Sequence, residues 1–382
     1  MTGPAPAPAP APGPGPGPAG LLEHRPALRP EILLSPPLLD GPATVHLVKD
    51  PVSGASFEIG PKEFFLVSRL DGARSLAEIG TEYGRAFGRR LGEGNWQQLL
   101  ALLGTRRLLA GGPPPPAPEP PGGPLRGTLL RGTLRLVADA DATTARLHRA
   151  LRPLLHPAVL GVLLAACLAM EAVLAASFGE LADAFGWLLR HPAPLAAVAT
   201  LMWLSTALHE FAHGVAARHV GGTVGEIGLR WRLPVALMYC TVDNYRFLER
   251  RRHQAAVAAA GAFANLLFLL PFSAWWAALP EGDPTRRVLA ALLLAGSAQA
   301  LVNLIPLPPL DGYTMLGHGL RVTRLAPASS GYLRLRMRDR AAAAAYPPRA
   351  RRLYLGYGIG SAVLVLLLAA GLTGAVWYAV TT

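Results

Sequence analysis

The rhythm of hydrophobic and polar positions changes sharply along this chain. Between residues 44 and 110 it follows globular periods. TVHLVKD and ASFEIG read as two short strands joined by the turn residues Asp50, Pro51, Val52, Ser53 and Gly54. Leu66, Leu70, Leu76, Ile79 and Tyr83 then recur at helical spacing, Ser75 stands where an N-cap is needed, and Trp96, Leu99, Leu100 and Leu103 give a third helix an apolar face. From residue 155 onward the polar face disappears. Apolar runs at 158–178, 193–217, 254–279, 287–307 and 353–379 approach the roughly 20 residues that cross a bilayer. The pattern predicts a mostly α protein: a polytopic membrane helix bundle of about five spans, preceded by a small α+β domain of winged-helix type.

Composition supports this division. The 382 residues are 51% hydrophobic and only 16% charged, well below the roughly 25% charged residues of soluble domains. Proline concentrates in two tracts, residues 3–20 and GGPPPPAPEPPGGP at 111–124, which offer nothing to bury. The expected organisation is a disordered tail and lead-in at 1–43, the small domain at 44–110, a stiff linker at 111–125 and the membrane domain at 126–382. No signal peptide is expected, because neither a basic start nor an apolar core precedes Leu21. Cys167 and Cys240 cannot build a disulfide framework and read as free thiols, with Cys240 as a ligand the lesser alternative.

The net charge of +12 is nearly all arginine, as in GC-rich bacterial genomes, and its placement explains it. Segments 218–253 and 321–352 carry dense arginine, whereas the alternate loops hold only Glu180, Asp183 and Arg190, or Glu281, Asp283, Arg286 and Arg287. Arginine near span ends prefers the cytoplasm, so both rich segments and the amino terminus are expected on the inside of the cell membrane. Orientation thus accounts for the charge without nucleic acid. The third helix of the small domain agrees, since Glu93–Gly104 has no lysine or arginine to meet phosphates.

The second apolar run contains LHEFAHG. His209 and His213, four apart, share a helical face with Glu210 beside them, so both imidazoles reach one metal ion while the carboxylate handles a water. Facing lipid, three such groups would each cost about 3 kcal/mol; they should turn into the bundle. Catalytic zinc takes three protein ligands and keeps one position open. NLIPLPPLDG closes the fourth span, and its Asp311 is the only acidic residue between Asp283 and Asp339. Spans two and four run in the same direction, which brings His213 and Asp311 to the same end. Pro306, Pro308 and Pro309 break the helix ahead of it, as irregular backbone at membrane depth allows where protein or water covers it.

At these motifs the chain resembles the site-2 family of intramembrane zinc proteases, over roughly residues 155–320, with GAFAN at 261–265 matching the family's intervening glycine and amide. The resemblance implies zinc held by His209, His213 and Asp311, Glu210 as general base and then acid, and Asn265 and Asn303 positioning substrate near the metal. Either asparagine could instead bond between helices. Independently, LDGARSLAEI, its preceding hairpin and the following NWQQLLALLGTRRLLA resemble the PqqD-like domains that bind leader peptides of ribosomally made, modified peptides. Together they imply a peptide-maturation protease whose partners are a leader-bearing peptide, the bilayer and a modifying enzyme or exporter. Regulatory proteolysis of a membrane-bound signalling protein, and a non-catalytic scaffold for modification or export, remain the alternatives.

Other positions are open at this level. Residues 224–243 read as a cytoplasmic-side hairpin or re-entrant piece, able to offer an edge strand to substrate or to serve as a plain connector. Residues 126–153, with GTLLRGTLRL as a candidate strand, read as a membrane-surface segment. Glu171 inside the first span is either functional, paired with a nearby arginine or placed near the outer interface; His219 and His253 read as surface residues, and His318, though it could reach the site, as structural.

Overall fold

The computed structural model describes residues 18–113, 125–233, 235–248 and 250–381. The proline-rich tail to residue 17 and the linker from 114 to 124 lie outside the described residues. The chain divides into two compact units, Met1–Leu34 with His46–Pro118 and Ser35–Val45 with Glu119–Thr382.

The elements to the end of the first unit are α1 (Pro18–Leu21), β1 (Leu33–Leu34), β2 (Leu38–Asp40), β3 (Ala43–Lys49), β4 (Ser56–Ile59), α2 (Pro61–Val67), α3 (Leu76–Phe87) and α4 (Glu93–Thr105). β3 pairs antiparallel with β4, His46 opposite Ile59 and Lys49 opposite Ser56, through the expected turn. Asp50 shapes that turn: its carboxylate accepts from Val52 N at 3.0 Å and Ser53 Oγ at 2.7 Å, and Gly54 takes the positive φ of 75°. Ser75 caps α3 in a reciprocal box, its Oγ accepting from Glu78 N while the Glu78 carboxylate accepts from Ser75 N. Leu76, Ile79 and Trp96 fill the core. The lead-in differs from the expectation. Leu21, Leu22, Leu28, Ile32 and Leu34 pack on that core, and Leu28 N and Arg29 N donate to Leu70 O and Leu108 O at 2.9 Å. Residues 21–34 therefore fold with this unit, because their leucines have apolar surface to bury and their backbone finds partners.

The second unit continues with β5 (Leu125–Gly127), β6 (Arg131–Arg135), α5 (Ala140–Leu151), α6 (Pro157–Ala176), α7 (Phe178–Leu188), α8 (Pro192–His219), β7 (Val224–Arg232), β8 (Val235–Val242), a 3-10 turn (Tyr245–Phe247), α9 (Arg251–Ala278), α10 (Pro284–Asn303), α11 (Asp311–Leu320), α12 (Leu325–Arg338), α13 (Arg340–Ala344) and α14 (Pro348–Thr381). Five helices are long and apolar enough to cross a membrane: α6, α8, α9, α10 and the Pro348–Gly371 part of α14. They overlap the five expected runs, though α10 stops at Asn303, ahead of the prolines. The chain is thus a membrane protein by its helices.

Segment 126–153 is not a simple surface stretch. β5 and β6 form a hairpin that joins β7 and β8 in one antiparallel sheet, order β5-β6-β7-β8, with β8 at an edge. A Cβ at Gly214 would stand 2.7 Å from Thr144 Cγ2, so the missing side chain lets α5 settle on α8 beside the sheet. The loop expected after the first span holds α7, whose Leu181, Ala184 and Leu188 are buried in the cluster shared with Leu289 and Leu292. Its Glu180 is taken up by Arg286, at 2.8 Å, and by Trp276 Nε1 at 3.2 Å.

Candidate metal centre

Three side chains from two helices meet near the ends of α8 and α10. α8 carries His209 and His213 one turn apart. Asp311 opens α11 after the proline-interrupted turn. That reversal depends on Gly312, where a Cβ would stand 2.7 Å from Ile305 O and closer still to Leu304 O. α9 supplies the opposite wall. A Cβ at Gly261 would stand 2.6 Å from His213 Nε2 and collide with His209 Nε2, so this glycine keeps open the space onto which both ring nitrogens face.

The donor atoms converge. His209 Nε2 lies 2.9 Å and His213 Nε2 3.4 Å from Asp311 Oδ2, and the two nitrogens lie 3.1 Å apart. Tetrahedral zinc with bonds of about 2.0–2.1 Å sets its ligand atoms about 3.3 Å from one another, so this triangle needs little adjustment to take an ion. His213 is in the required tautomer: its Nδ1–H donates to Val257 O at 2.7 Å, since a carbonyl only accepts, which leaves the Nε2 lone pair facing the site. Asp311 Oδ2 is buried without a satisfied hydrogen bond, an orphan that a cation would satisfy. These residues fit a metal ion, and among the described residues they are the group of histidine, cysteine and acidic side chains so arranged.

Asn265 is placed behind His209 rather than in front of it. It is buried, and its amide lies 3.1 Å from His209 Nδ1 and 3.1 Å from Ser205 Oγ. In the structure Asn265 Oδ1 accepts from Ser205 Oγ and Nδ2 faces His209 Nδ1; the flipped amide, with Oδ1 accepting from His209 Nδ1–H and Nδ2 donating to Ser205 Oγ, fits the same positions and gives His209 the tautomer a ligand needs. Asn303 is the last residue of α10, half-buried, with no side-chain hydrogen bond among the described residues. Glu210 is half-buried, and His209, His213, Asp311 and the backbone N–H of Cys240 lie within electrostatic reach of its carboxylate. Among the described residues no strand pairs with the outer edge of β8, the strand on which Cys240 stands opposite Ile227.

Neighbouring groups fall into supporting roles. Burial, with Glu210 and Asp243 nearby, pushes the Cys240 thiol up to about 12, so it is protonated and stands outside the converging donors. His318 packs edge-on against Tyr245, ring centroids 4.2 Å apart. Glu171 accepts from Ser297 Oγ at 2.7 Å, a pairing between α6 and α10. His219 meets His148 at 3.2 Å on the surface. Ser205 and the Val257 carbonyl escaped the sequence reading; Ser205, one turn before His209, shares its helical face and could have been found, whereas a backbone carbonyl has no letter. Set against models of protein families, curated proteins and solved structures, the chain matches none.

Proposed function

We propose that this chain is a membrane-embedded zinc metalloprotease that hydrolyses a peptide bond, matures a ribosomally made peptide and captures its leader on the N-terminal unit. The observation that supports this most is the convergence of His209, His213 and Asp311, with Glu210 on the same helix, around space that Gly261 leaves open. Zinc bound there supplies a Lewis acid that polarises the peptide carbonyl and eases deprotonation of a water. His209, held by Asn265, and His213, held by Val257 O, keep fixed rings and tautomers. Glu210 accepts the proton of the attacking water and delivers it to the departing amine. A helical substrate has its carbonyls occupied, so the cut segment is extended, and the unpaired edge of β8 beside Glu210 can pair with it as an added strand. The arginine-rich segments support an orientation with this end of the bundle on the cytoplasmic side of a bacterial cell membrane. A tethered leader-binding unit raises the local concentration of substrate, toward about millimolar.

The test is cleavage of a candidate precursor peptide in nanodiscs by wild type and Glu210→Gln, with zinc measured on both. Loss of at least about 100-fold in rate with zinc retained is expected. Equal processing by both proteins, or no zinc in either, would sink the enzyme and leave a peptide-handling scaffold.

A further inference from the structure

A groove between α11 and α14 is left unused by the proposed chemistry. Its volume is about 450 Å3, and its lining includes Leu316, Leu320, Leu353, Leu364, Pro306 and Arg352. Gly356 and Gly360 also line it, and a Cβ at either would meet nothing within 4 Å, so the groove exists because those side chains are missing. From Arg352 to Leu364 the helix advances about 18 Å, close to the roughly 15 Å of hydrocarbon in one leaflet.

The end of the groove is strongly basic. Arg352 lines it, Arg349 donates through Nη2 to Leu320 O at 2.8 Å, and Arg321, which follows Leu320 in the left-handed region, φ 53°, borders the adjoining cavity with Arg246 and His318 and lies within electrostatic reach of Arg349. Arg251 donates to Gly319 O at 3.0 Å on the same helix end. Burial, with Arg251 and Arg349 close by, holds the Arg321 guanidinium below its usual range. Among the described residues no carboxylate pairs with any of the four. Arg349 and Arg352 also sit in the first turns of α14, where the helix dipole disfavours a cation. Repelling cations, at the membrane-interface end of an apolar slot one leaflet long, call for an anion carrying a hydrocarbon chain.

We propose that the groove binds one anionic phospholipid, its phosphate among Arg321, Arg349 and Arg352 and one acyl chain along Gly356, Gly360 and Leu364. The site rests on membrane insertion alone and stands whether or not the chain is a protease. It bears on the metal centre through Pro306, which lines the groove, accepts from Tyr357 Oη at 3.1 Å and lies on the segment leading to Asp311.

The experiment is native mass spectrometry of the full chain released from nanodiscs of equal phosphatidylglycerol and phosphatidylcholine. Wild type should retain phosphatidylglycerol in preference. The double variant Arg321→Gln/Arg352→Gln should lose on the order of 30-fold of that retention, from the worth of two interfacial cations. Gly360→Leu, which fills the slot, should lose it as well, and Arg338→Gln on α12 should not. The double variant decides alone if Gly360→Leu fails to fold. Equal retention of the two lipids by wild type, or unchanged retention in the double variant, overturns the proposal. So does inorganic phosphate stabilising the detergent-solubilised protein as much as phosphatidylglycerol, or a Gly360→Cys disulfide dimer in the nanodisc, which would make a second copy the occupant.

Discussion

Both units bury apolar clusters, but they differ in the apolar surface they expose and in the polar groups they enclose. In the first, Leu76 and Ile79 are 0% exposed and Trp96 1%, while the polar capping pair Ser75 and Glu78 works at a helix end. In the second, Val162 is 70% and Leu366 68% exposed, whereas Ser205, His209 and Asn265 are 2%, 6% and 1%. Water explains the first arrangement and hydrocarbon the second. Where the surrounding solvent is as apolar as leucine, hydrophobic side chains gain nothing by turning inward, and polar ones must find one another. In such a segment it is the polar letters that point to the interior.

That contrast predicts unequal penalties for the same substitution. Leu76→Ala removes a fully buried side chain and should destabilise the first unit by about 2–5 kcal/mol. Leu366→Ala changes a surface that meets lipid and should fall within about 0.5 kcal/mol. Hydrogen exchange of the full chain in nanodiscs reads both, over residues 46–113 for the first and along α14 for the second. Comparable losses of protection would mean that the lipid-facing side of α14 is covered by protein, and the contrast would fail.

The inward polar residues can be tested in the same spirit. Asn265→Ala should weaken zinc binding by about 10–100-fold, measured by chelator competition, because His209 loses the partner that sets its tautomer. A variant with unchanged zinc affinity and a raised KM would return Asn265 to the substrate-positioning role that family resemblance implies. The two outcomes separate a group behind the ligand from one in front of it.

Much of this was legible from residue types alone. The five spans follow from run length, and His209, Glu210 and His213 from a spacing that only a helix turns into one face. Asp311 followed from topology, as the lone acid at the matching end of a span running the same way. Other features were hidden. α7 reads as a polar loop until Glu180 is seen to be used up by Arg286 and Trp276. The lead-in reads as disordered because proline obscures Leu22, Leu28 and Leu34, whose partners lie far along the sequence. An amide inside a span suits a substrate or a neighbouring helix equally well, so the place of Asn265 is settled only by the packing of α8 against α9.

The smallest effect concerns a polar group between these extremes. His318 lies on α11, outside the spans, and burial, followed by the positive charge of Arg246, lowers its pKa from the ordinary 6.5 to about 4. The folded chain therefore keeps this ring neutral over a range in which the unfolded chain takes up a proton. Between pH 6.5 and 4 the unfolded state binds more protons, so the contribution is fully present above 6.5 and is lost as pH falls toward 4. Acidification from pH 7 to 5 should lower the stability of wild type by on the order of 1 kcal/mol more than that of His318→Phe, which keeps a ring beside Tyr245. Thermal unfolding of both proteins across that range provides the comparison. Other titrating groups, His209, His213 and Asp311 included, act on both chains and cancel in the difference. Parallel pH profiles would show that water reaches His318 in the folded state, and that this residue belongs with the solvated arginines around it and not with the buried polar groups of the bundle.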